Sequence, residues 1–269
     1  MSLVNYYPKP KQKYIPVQYT CMSFQSVIYY LREYLFPFGC GGCGESLDGA
    51  RDALSGLCEK CRTLFTSALE SERRCNFCGK PLISERETCL SCREKGAAEK
   101  GYYNESLARI RVLFPYAGIF RSLLAAYKFN KSLGVGIFLA RCLASSLESF
   151  DSEHLKEAAW VPVPPRPGKI KKQGWDQIEF LSKQLGNSGL DSIPVRRCLK
   201  RLRSRSQKEL NQEERMTNLK GRILCVKKPP ETAVLFDDVI TTGATLNACA
   251  AALLEAGCKK VYGVCLFFN

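Results

Sequence analysis

The fold class of this chain is decided by one stretch, Val234-Leu235-Phe236-Asp237-Asp238-Val239-Ile240-Thr241-Thr242-Gly243-Ala244-Thr245. Its apolar start, residues 233–236, predicts a strand that is buried on both faces of a parallel sheet. Residues 245–256 then predict a helix, with Gly257 as its stop signal, and residues 261–268 predict the next strand. Strand, loop, helix and strand form a βαβ unit, and ligands of such units bind at the carboxyl ends of the strands.

The loop between this strand and helix suits a phosphate group. We predict that the backbone N–H groups of Thr242, Gly243 and Ala244 point into the loop, where the positive end of the helix dipole also favours an anion. The hydroxyls of Thr241, Thr242 and Thr245 add donors, and Gly243 lets the backbone approach a ligand closely. The stretch therefore predicts a phosphate-binding loop.

Two adjacent carboxylates, Asp237 and Asp238, follow the apolar run. They would repel a phosphate, so we predict that they bind sugar hydroxyls or lie beside a hydrated Mg²⁺. The chain has no Gly-Lys-Thr loop of the Walker type, which disfavours an ordinary nucleoside triphosphatase. The alternative to a ligand site is a plain strand with a polar turn before a capped helix.

These residues resemble the phosphoribosyl pyrophosphate loop of type I phosphoribosyltransferases. The resemblance implies that the loop from Thr241 to Thr245, including Ala244, holds the 5′-phosphate, and that Asp237 and Asp238 hold the ribose hydroxyls. It also implies Mg²⁺ together with the ligand. In addition, it makes the turn 164–166 a candidate pyrophosphate loop, for which the alternative is a connection stiffened by prolines.

Composition limits the classes of protein to which the chain belongs. It has 269 residues, of which 45% are hydrophobic, enough for an α/β core and a smaller module. Lys and Arg number 40 against 26 Asp and Glu, and the net charge of +14 favours phosphate-bearing partners. Neither a secretory pattern nor an apolar run of the roughly 18 residues needed to cross a bilayer is present. We therefore expect a reducing, cytoplasmic location without a membrane span.

Eight of the 15 cysteines form four Cys-x-x-Cys pairs. The pairs are Cys40/Cys43, Cys58/Cys61, Cys75/Cys78 and Cys89/Cys92. Two such turns supply the four thiolates of one tetrahedral zinc, so the pattern predicts two structural zinc sites. Redox dithiols and disulfides are the alternatives, and the spacing leaves both sequential and cross-braced pairing of the turns open.

The remaining pattern divides the chain into three parts. Residues 1–39 are an N-terminal extension with a predicted docking helix over 24–35, residues 40–100 are the double zinc ribbon, and residues 101–269 are the phosphoribosyltransferase-like domain. In this last part, apolar periodicity predicts strands over 110–116, 160–163 and 192–197, and helices over 119–129, 133–147 and 177–185. Such alternation indicates an α/β fold with a mostly parallel sheet.

The order of these pieces resembles the ComF family, the double-zinc-ribbon, phosphoribosyltransferase-like proteins linked to bacterial competence. The matching pieces are Leu35-Phe36-Pro37, the four cysteine pairs, Tyr127-Lys128-Phe129, Val161-Pro162-Val163-Pro164, Gln173-Gly174-Trp175-Asp176-Gln177, residues 207–218 and the acidic loop. The resemblance implies a type I phosphoribosyltransferase-like parallel sheet flanked by helices, behind a small N-terminal module of zinc ribbons with four cysteine ligands each. The sequence departs from the family pattern at Asp176, where the family usually has Asn. The extra negative charge argues against a phosphate contact at this position.

A basic run without any acid spans residues 196–208. We take Arg166, Arg201, Arg203, Arg205 and Lys208 as candidates for a pyrophosphate or basic loop. Three interpretations remain open: a solvated surface loop, a lid over pyrophosphate, or a contact to single-stranded DNA in which Trp175 stacks a base.

Two function hypotheses follow from the resemblance. One is an enzyme, a Mg²⁺-dependent phosphoribosyltransferase that is active in DNA uptake or in nucleobase salvage. The other is a non-catalytic module that senses phosphoribosyl pyrophosphate and contacts single-stranded DNA or a helicase-like competence partner. No catalytic residue is assigned, because no segment that would recognise an acceptor base stands out in the sequence.

Overall fold

The computed structural model describes residues 39–47, 52, 54–70, 73–75, 79, 81–82, 84–94, 106–149, 157–169, 174–187, 193–202 and 221–268. The predicted docking helix over 24–35 lies outside these ranges. Within them, no helix has both the length and the apolar character needed to cross a membrane.

A four-stranded parallel sheet forms the centre of the molecule. In chain order the strands are β1 (Arg109–Pro115), β2 (Ala158–Pro162), β3 (Leu199–Arg201), β4 (Ile223–Cys225), β5 (Thr232–Ile240) and β6 (Lys260–Phe268). The sheet has the order β1-β6-β5-β2, while β3 and β4 form a separate antiparallel pair. The predicted α/β class with a parallel sheet is thus confirmed.

Helices cover both faces of this sheet. In chain order the helices of the molecule are α1 (Glu59–Leu69), α2 (Leu90–Glu94), α3 (Gly118–Lys128), α4 (Leu133–Ser145), α5 (Gln177–Asn187) and α6 (Ala244–Glu255). Val234 and Phe236 of β5 pack in one buried cluster with α3, α4 and α5, whereas Ala233 and Leu235 pack in a second cluster with α6. Both faces of β5 are buried, which explains why its sequence is continuously apolar rather than alternating.

Two strand predictions differ from the structure. Asp237 and Asp238 were expected in a loop, but β5 continues through them to Ile240. The strand predicted over 192–197 is wrong: Val195 makes one isolated bridge to Trp160, and the regular strand is β3. Pro194 lies inside this segment and has no N–H to donate, so a longer ladder cannot form there.

The first cysteine segment packs directly on the α/β core. Cys40, Leu57, Cys61 and Phe65 belong to the same buried cluster as α3 and α4. The backbones approach closely as well, since a Cβ at Gly134 would lie only 2.7 Å from the backbone N of residue 56. Burial of this shared apolar surface joins the cysteine segment to the core.

A buried arginine fixes the second cysteine segment to β1. Arg74 Nη1 donates to the carbonyl oxygens of Val112 and Gly79, and its Nη2 donates to those of Ala68 and Leu69 at 3.3 Å. Burial and the charge of Arg111 lower the pKa of Arg74 to about 9. Arg74 thus ties the end of α1, the turn at Gly79 and the free edge of β1 together.

The Arg74→Met variant should unfold more easily than the wild type. Four backbone carbonyl groups would lose a charged donor, and we expect a loss of about 3 kcal/mol in the free energy of unfolding. Urea unfolding followed by tryptophan fluorescence would measure it. Arg73→Met is the matched control, because Arg73 is exposed and should change the stability little. Equal stabilities of the two variants would contradict the assigned role.

Candidate functional site

The candidate site lies where β2 and β5 end side by side. Pro162 is in register with Phe236, and the N–H of Val163 donates to the carbonyl of Phe236 at 3.1 Å. The chain then enters residues 163–169, which we call the β2 loop. Because both strands run in parallel, the β2 loop starts beside the acidic pair.

The threonine-rich segment forms a pocket in front of α6. Gly243 has φ 73° and ψ −4°, a left-handed conformation that glycine adopts without strain, and α6 begins at the next residue. The lining residues are Asp237, Val239, Ile240, Thr241, Thr242, Gly243, Ala244, Thr245 and Leu246. The hydroxyl oxygen of Thr242 accepts from the N–H of Ala244 at 3.4 Å, so one of the three expected phosphate donors already has a weak partner within the loop. The pocket offers the start of a helix, three hydroxyls and one carboxylate to a ligand.

The two adjacent acids face opposite sides of the sheet, as side chains alternate along a strand. Asp237 lines the pocket on the α6 side. Asp238 lies on the other side, where it contacts Lys128 at the end of α3 and Gln177 at the start of α5. One ligand on the α6 side therefore meets Asp237 first.

The Asp238 carboxylate is surrounded by donors. Its Oδ2 accepts from Lys128 Nζ at 3.1 Å and from Gln177 Nε2 at 2.6 Å, and its Oδ1 accepts from the N–H of Val239 at 2.9 Å. Burial by itself disfavours the charged form, but the ammonium of Lys128 and the bond from Gln177 lower the pKa of Asp238. Asp238 is therefore ionised at neutral pH.

Asp237 has the opposite environment. Burial and the negative charge of Asp238 raise the pKa of Asp237 well above its ordinary value. Its Oδ1 accepts from the N–H of Asp238 at 2.8 Å. The pair thus combines an ionised acid with one that binds a proton more readily, an arrangement frequent at functional sites.

Sequence reasoning missed how the side chains around Asp238 are connected. Lys169 of the β2 loop donates to Gln177 Oε1 at 2.8 Å and to Asp176 Oδ2 at 2.7 Å. We call Lys128, Asp238, Gln177, Lys169 and Asp176 the Asp238 network. The sequence carried a signal for Lys128, Asp176 and Gln177, because they belong to the pieces that match the ComF family. It carried no such signal for Lys169.

Asp176 has a local structural role. Its Oδ1 accepts from the N–H of Glu179 at 2.9 Å, which caps the first turn of α5. Its second oxygen binds Lys169. Both carboxylate oxygens are thus engaged inside the protein.

Arg201 is the buried member of the predicted basic loop. It lies on β3 with 8% of its surface exposed, and its Nε and Nη2 have no hydrogen-bond partner in the described part of the chain. Burial and the charge of Arg166 lower the pKa of Arg201, whereas the charge of Asp237 acts in the opposite sense. Arg166 and Asp237 are therefore both within electrostatic reach of Arg201. Arg203, Arg205 and Lys208 lie outside the described residues.

The cysteines form two groups that suit zinc. The first cysteine cluster consists of Cys40, Cys43, Cys58 and Cys61, whose sulfurs all lie within 4.8 Å of one another. The Sγ atoms of Cys43 and Cys58 are 3.8 Å apart, and thiolates at about 2.3 Å around a tetrahedral zinc would have about this spacing. Backbone N–H groups donate to Cys40 Sγ and lower its pKa to about 7 against the effect of burial. This cluster can hold zinc with four thiolates.

The second cysteine cluster consists of Cys75, Cys89 and Cys92, again with all sulfurs within 4.8 Å. Cys78, the predicted fourth ligand, lies outside the described residues. The two clusters group the cysteines in sequential order along the chain, which was one of the two pairings left open. Gly44 and Gly79 follow Cys43 and Cys78 directly in the sequence, and their φ angles of 83° and 69° suit tight turns.

The parallel sheet, the pocket at the end of β5 and the two cysteine clusters define an α/β protein with an attached cysteine module. A scan against protein-family models finds no match. The chain is 29% identical over 206 residues to Competence protein ComFC of Streptococcus pneumoniae, covering 76% of this chain and 84% of that protein. It is 28% identical over 234 residues to Competence protein F of Haemophilus influenzae, covering 84% and 95%. The predicted resemblance to the ComF family is confirmed by these two competence proteins, to which the chain is similar over most of its length.

The zinc assignment predicts two zinc ions per chain. Cys61→Ser replaces a thiolate of the first cysteine cluster by a hydroxyl, and Cys89→Ser does so in the second. Each variant should therefore lose one ion. Zinc contributes on the order of 10 kcal/mol to folding in small metal modules, so both variants should also melt at lower temperature. Elemental analysis of the purified proteins would count the metal. Cys142→Ala, at a buried cysteine of α4, is the control and should retain both ions.

Proposed function

We propose that this protein binds phosphoribosyl pyrophosphate in the pocket at the end of β5. The observation that carries the proposal is the common location of a phosphate-type loop and a carboxylate, Asp237, in one pocket on the α6 side. Arg201 lies within electrostatic reach of the same carboxylate. Phosphoribosyl pyrophosphate requires hydrogen-bond donors for its 5′-phosphate, an acceptor for its ribose hydroxyls and a cation for its diphosphate. The loop, Asp237 and Arg201 offer these three kinds of group.

The residues have distinct roles in this proposal. The loop from Thr241 to Thr245 holds the 5′-phosphate through its N–H and hydroxyl groups at the start of α6. Asp237 accepts hydrogen bonds from the ribose hydroxyls. Arg166 and Arg201 neutralise the diphosphate, and Mg²⁺ enters with the ligand because the pocket offers the hard oxygen ligands that this ion prefers.

The same site is compatible with two activities, which differ in whether an acceptor molecule takes up the phosphoribosyl group. Phosphoribosyl transfer would break the bond between the anomeric carbon and the diphosphate, and cations that stabilise the leaving group would lower its barrier. A ligand sensor would bind the same molecule without turnover. Pyrophosphate release with a panel of nucleobases and a metabolite extract would establish the enzyme, including a salvage transferase. Tight binding without release would establish the sensor.

The names of the relatives suggest a biological process for the proposed site. Both are named competence proteins, and we propose that this chain likewise acts in DNA uptake during natural transformation, in the cytoplasm and beside a helicase-like partner. The basic surface near β3 and β4 favours a contact to single-stranded DNA. In residues 193–202 and 221–230 there are six exposed cations and no acid. The exposed cations are Arg196, Arg197, Lys200, Arg222, Lys227 and Lys228.

The DNA contact would rest mainly on charge. Trp175 packs its ring against Tyr127 and Phe180 at centroid distances of 5.9 and 5.4 Å, so it is less accessible to a base than the sequence suggested. Lys200 and Arg196 are exposed and remain available to phosphates. Binding of this kind is salt-dependent and insensitive to sequence.

Ligand binding should depend on the loop in front of α6. Gly243→Val places a branched side chain where the backbone has a left-handed conformation and a phosphate must approach. We expect affinity for phosphoribosyl pyrophosphate to fall at least about tenfold, or 1.4 kcal/mol, in isothermal titration calorimetry. Gly257→Val is the matched control, because Gly257 also has a positive φ, of 99°, but lies behind the opposite end of α6. Equal losses in both variants would contradict the site.

The DNA contact predicts a charge-dependent affinity for oligothymidylate. The Arg196→Glu, Lys200→Glu double variant should bind more weakly and should show a salt slope that is shallower by roughly 0.7 per lost phosphate contact. Fluorescence anisotropy at several salt concentrations would measure the slope. Lys259→Glu serves as the control at an exposed lysine that pairs with Glu231. An unchanged slope in the double variant would remove this surface from the DNA proposal.

A further inference from the structure

We infer that Asp238 is a positioning residue for the diphosphate-binding loop and that Asp237 is the acid that contacts the ribose. The resemblance implied the same role for both acids, the binding of ribose hydroxyls. The inference rests on the proposed binding of phosphoribosyl pyrophosphate. It assigns the two neighbouring carboxylates to different parts of that ligand.

The carboxylate of Asp238 has its hydrogen-bonding capacity largely filled by the protein. Oδ2 accepts from Lys128 and Gln177, Oδ1 accepts from a backbone N–H, and only 8% of the residue is exposed. A ribose hydroxyl would have to displace one of these donors. Asp237, in contrast, lines the pocket with the threonine loop.

Gln177 connects Asp238 to the β2 loop. Its Nε2 donates to Asp238, and its Oε1 accepts from Lys169, so the two ends of the amide serve opposite partners. Lys169 also binds Asp176. The Asp238 network thus contains two lysine–carboxylate pairs, Lys128 with Asp238 and Lys169 with Asp176. The neutral amide of Gln177 bonds to both pairs, so that a shift of one pair moves the other.

Both ends of the β2 loop are consequently attached to β5. At its start, the N–H of Val163 donates to the carbonyl of Phe236, and at its end Lys169 reaches Asp238 through Gln177. Lys169 also donates its backbone N–H to the carbonyl of Arg166 at 3.1 Å, which fixes the turn between them. A change at Asp238 should therefore alter the position of Arg166 and weaken contacts to the diphosphate, with little effect on the ribose.

Two fragments of the ligand separate these roles. Inorganic pyrophosphate and ribose 5-phosphate would each be titrated into the full-length protein at a fixed Mg²⁺ concentration. We expect Asp238→Asn and Gln177→Leu to weaken pyrophosphate binding at least tenfold and ribose 5-phosphate binding less than threefold. Asp237→Asn should show the reverse pattern. The control Lys259→Met removes a lysine from an exposed ion pair elsewhere and should leave both affinities unchanged.

A loss confined to ribose 5-phosphate in Asp238→Asn would overturn the inference, since it would make Asp238 a direct ligand of the sugar. Equal losses for both fragments would overturn it as well. If the wild type bound neither fragment, the proposed ligand would fail, and amide hydrogen exchange would still test the positioning role. Exchange in the peptide that covers 163–169 should accelerate in Asp238→Asn and Gln177→Leu but not in Asp237→Asn. Unchanged exchange in the first two variants would refute the positioning role independently of any ligand.

Discussion

The burial of β5 on both faces is the constraint on which the site depends. A strand enclosed in this way can carry two adjacent acids only if each face supplies its own compensation for a buried charge. On one face, a lysine and an amide stabilise Asp238 as an anion. On the other, Asp237 has a raised pKa and opens to a pocket. Two residues of the same type thereby acquire different chemistry.

The same sheet joins the site to the cysteine segments. The first cysteine cluster shares buried side chains with α3 and α4, and α3 ends at Lys128, which binds Asp238. Few residues therefore separate the first cysteine cluster from the acid pair. The cysteine module and the candidate site form neighbouring parts of one packed structure, so a change in the first cysteine cluster has a short physical route to Asp238.

Local patterns predicted β5, α6 and β6 to within a few residues, because continuous burial and the glycine at each helix end leave clear signals in the sequence. The cysteine spacing likewise predicted the ligand turns. The Asp238 network could not be derived in this way, since Lys128 and Asp238 are 110 residues apart and their contact depends on how α3 packs on the sheet. The prediction of a strand over 192–197 relied on an apolar pattern. It did not take into account that Pro194 has no N–H to donate. Once β5 is known to extend through Asp237 and Asp238, the alternation of side chains along a strand predicts that the two acids face opposite sides of the sheet.

The position of the second cysteine segment has a consequence for solubility. β1 is at the edge of the sheet, and an open edge strand is a template on which other chains can add by backbone pairing. Gly79 lies so close that a Cβ on it would clash with the carbonyl oxygen of Ile110, and Arg74 takes the carbonyl of Val112. The segment thus shields β1 from intermolecular pairing. Displacement of this segment would open the edge of β1 to self-association.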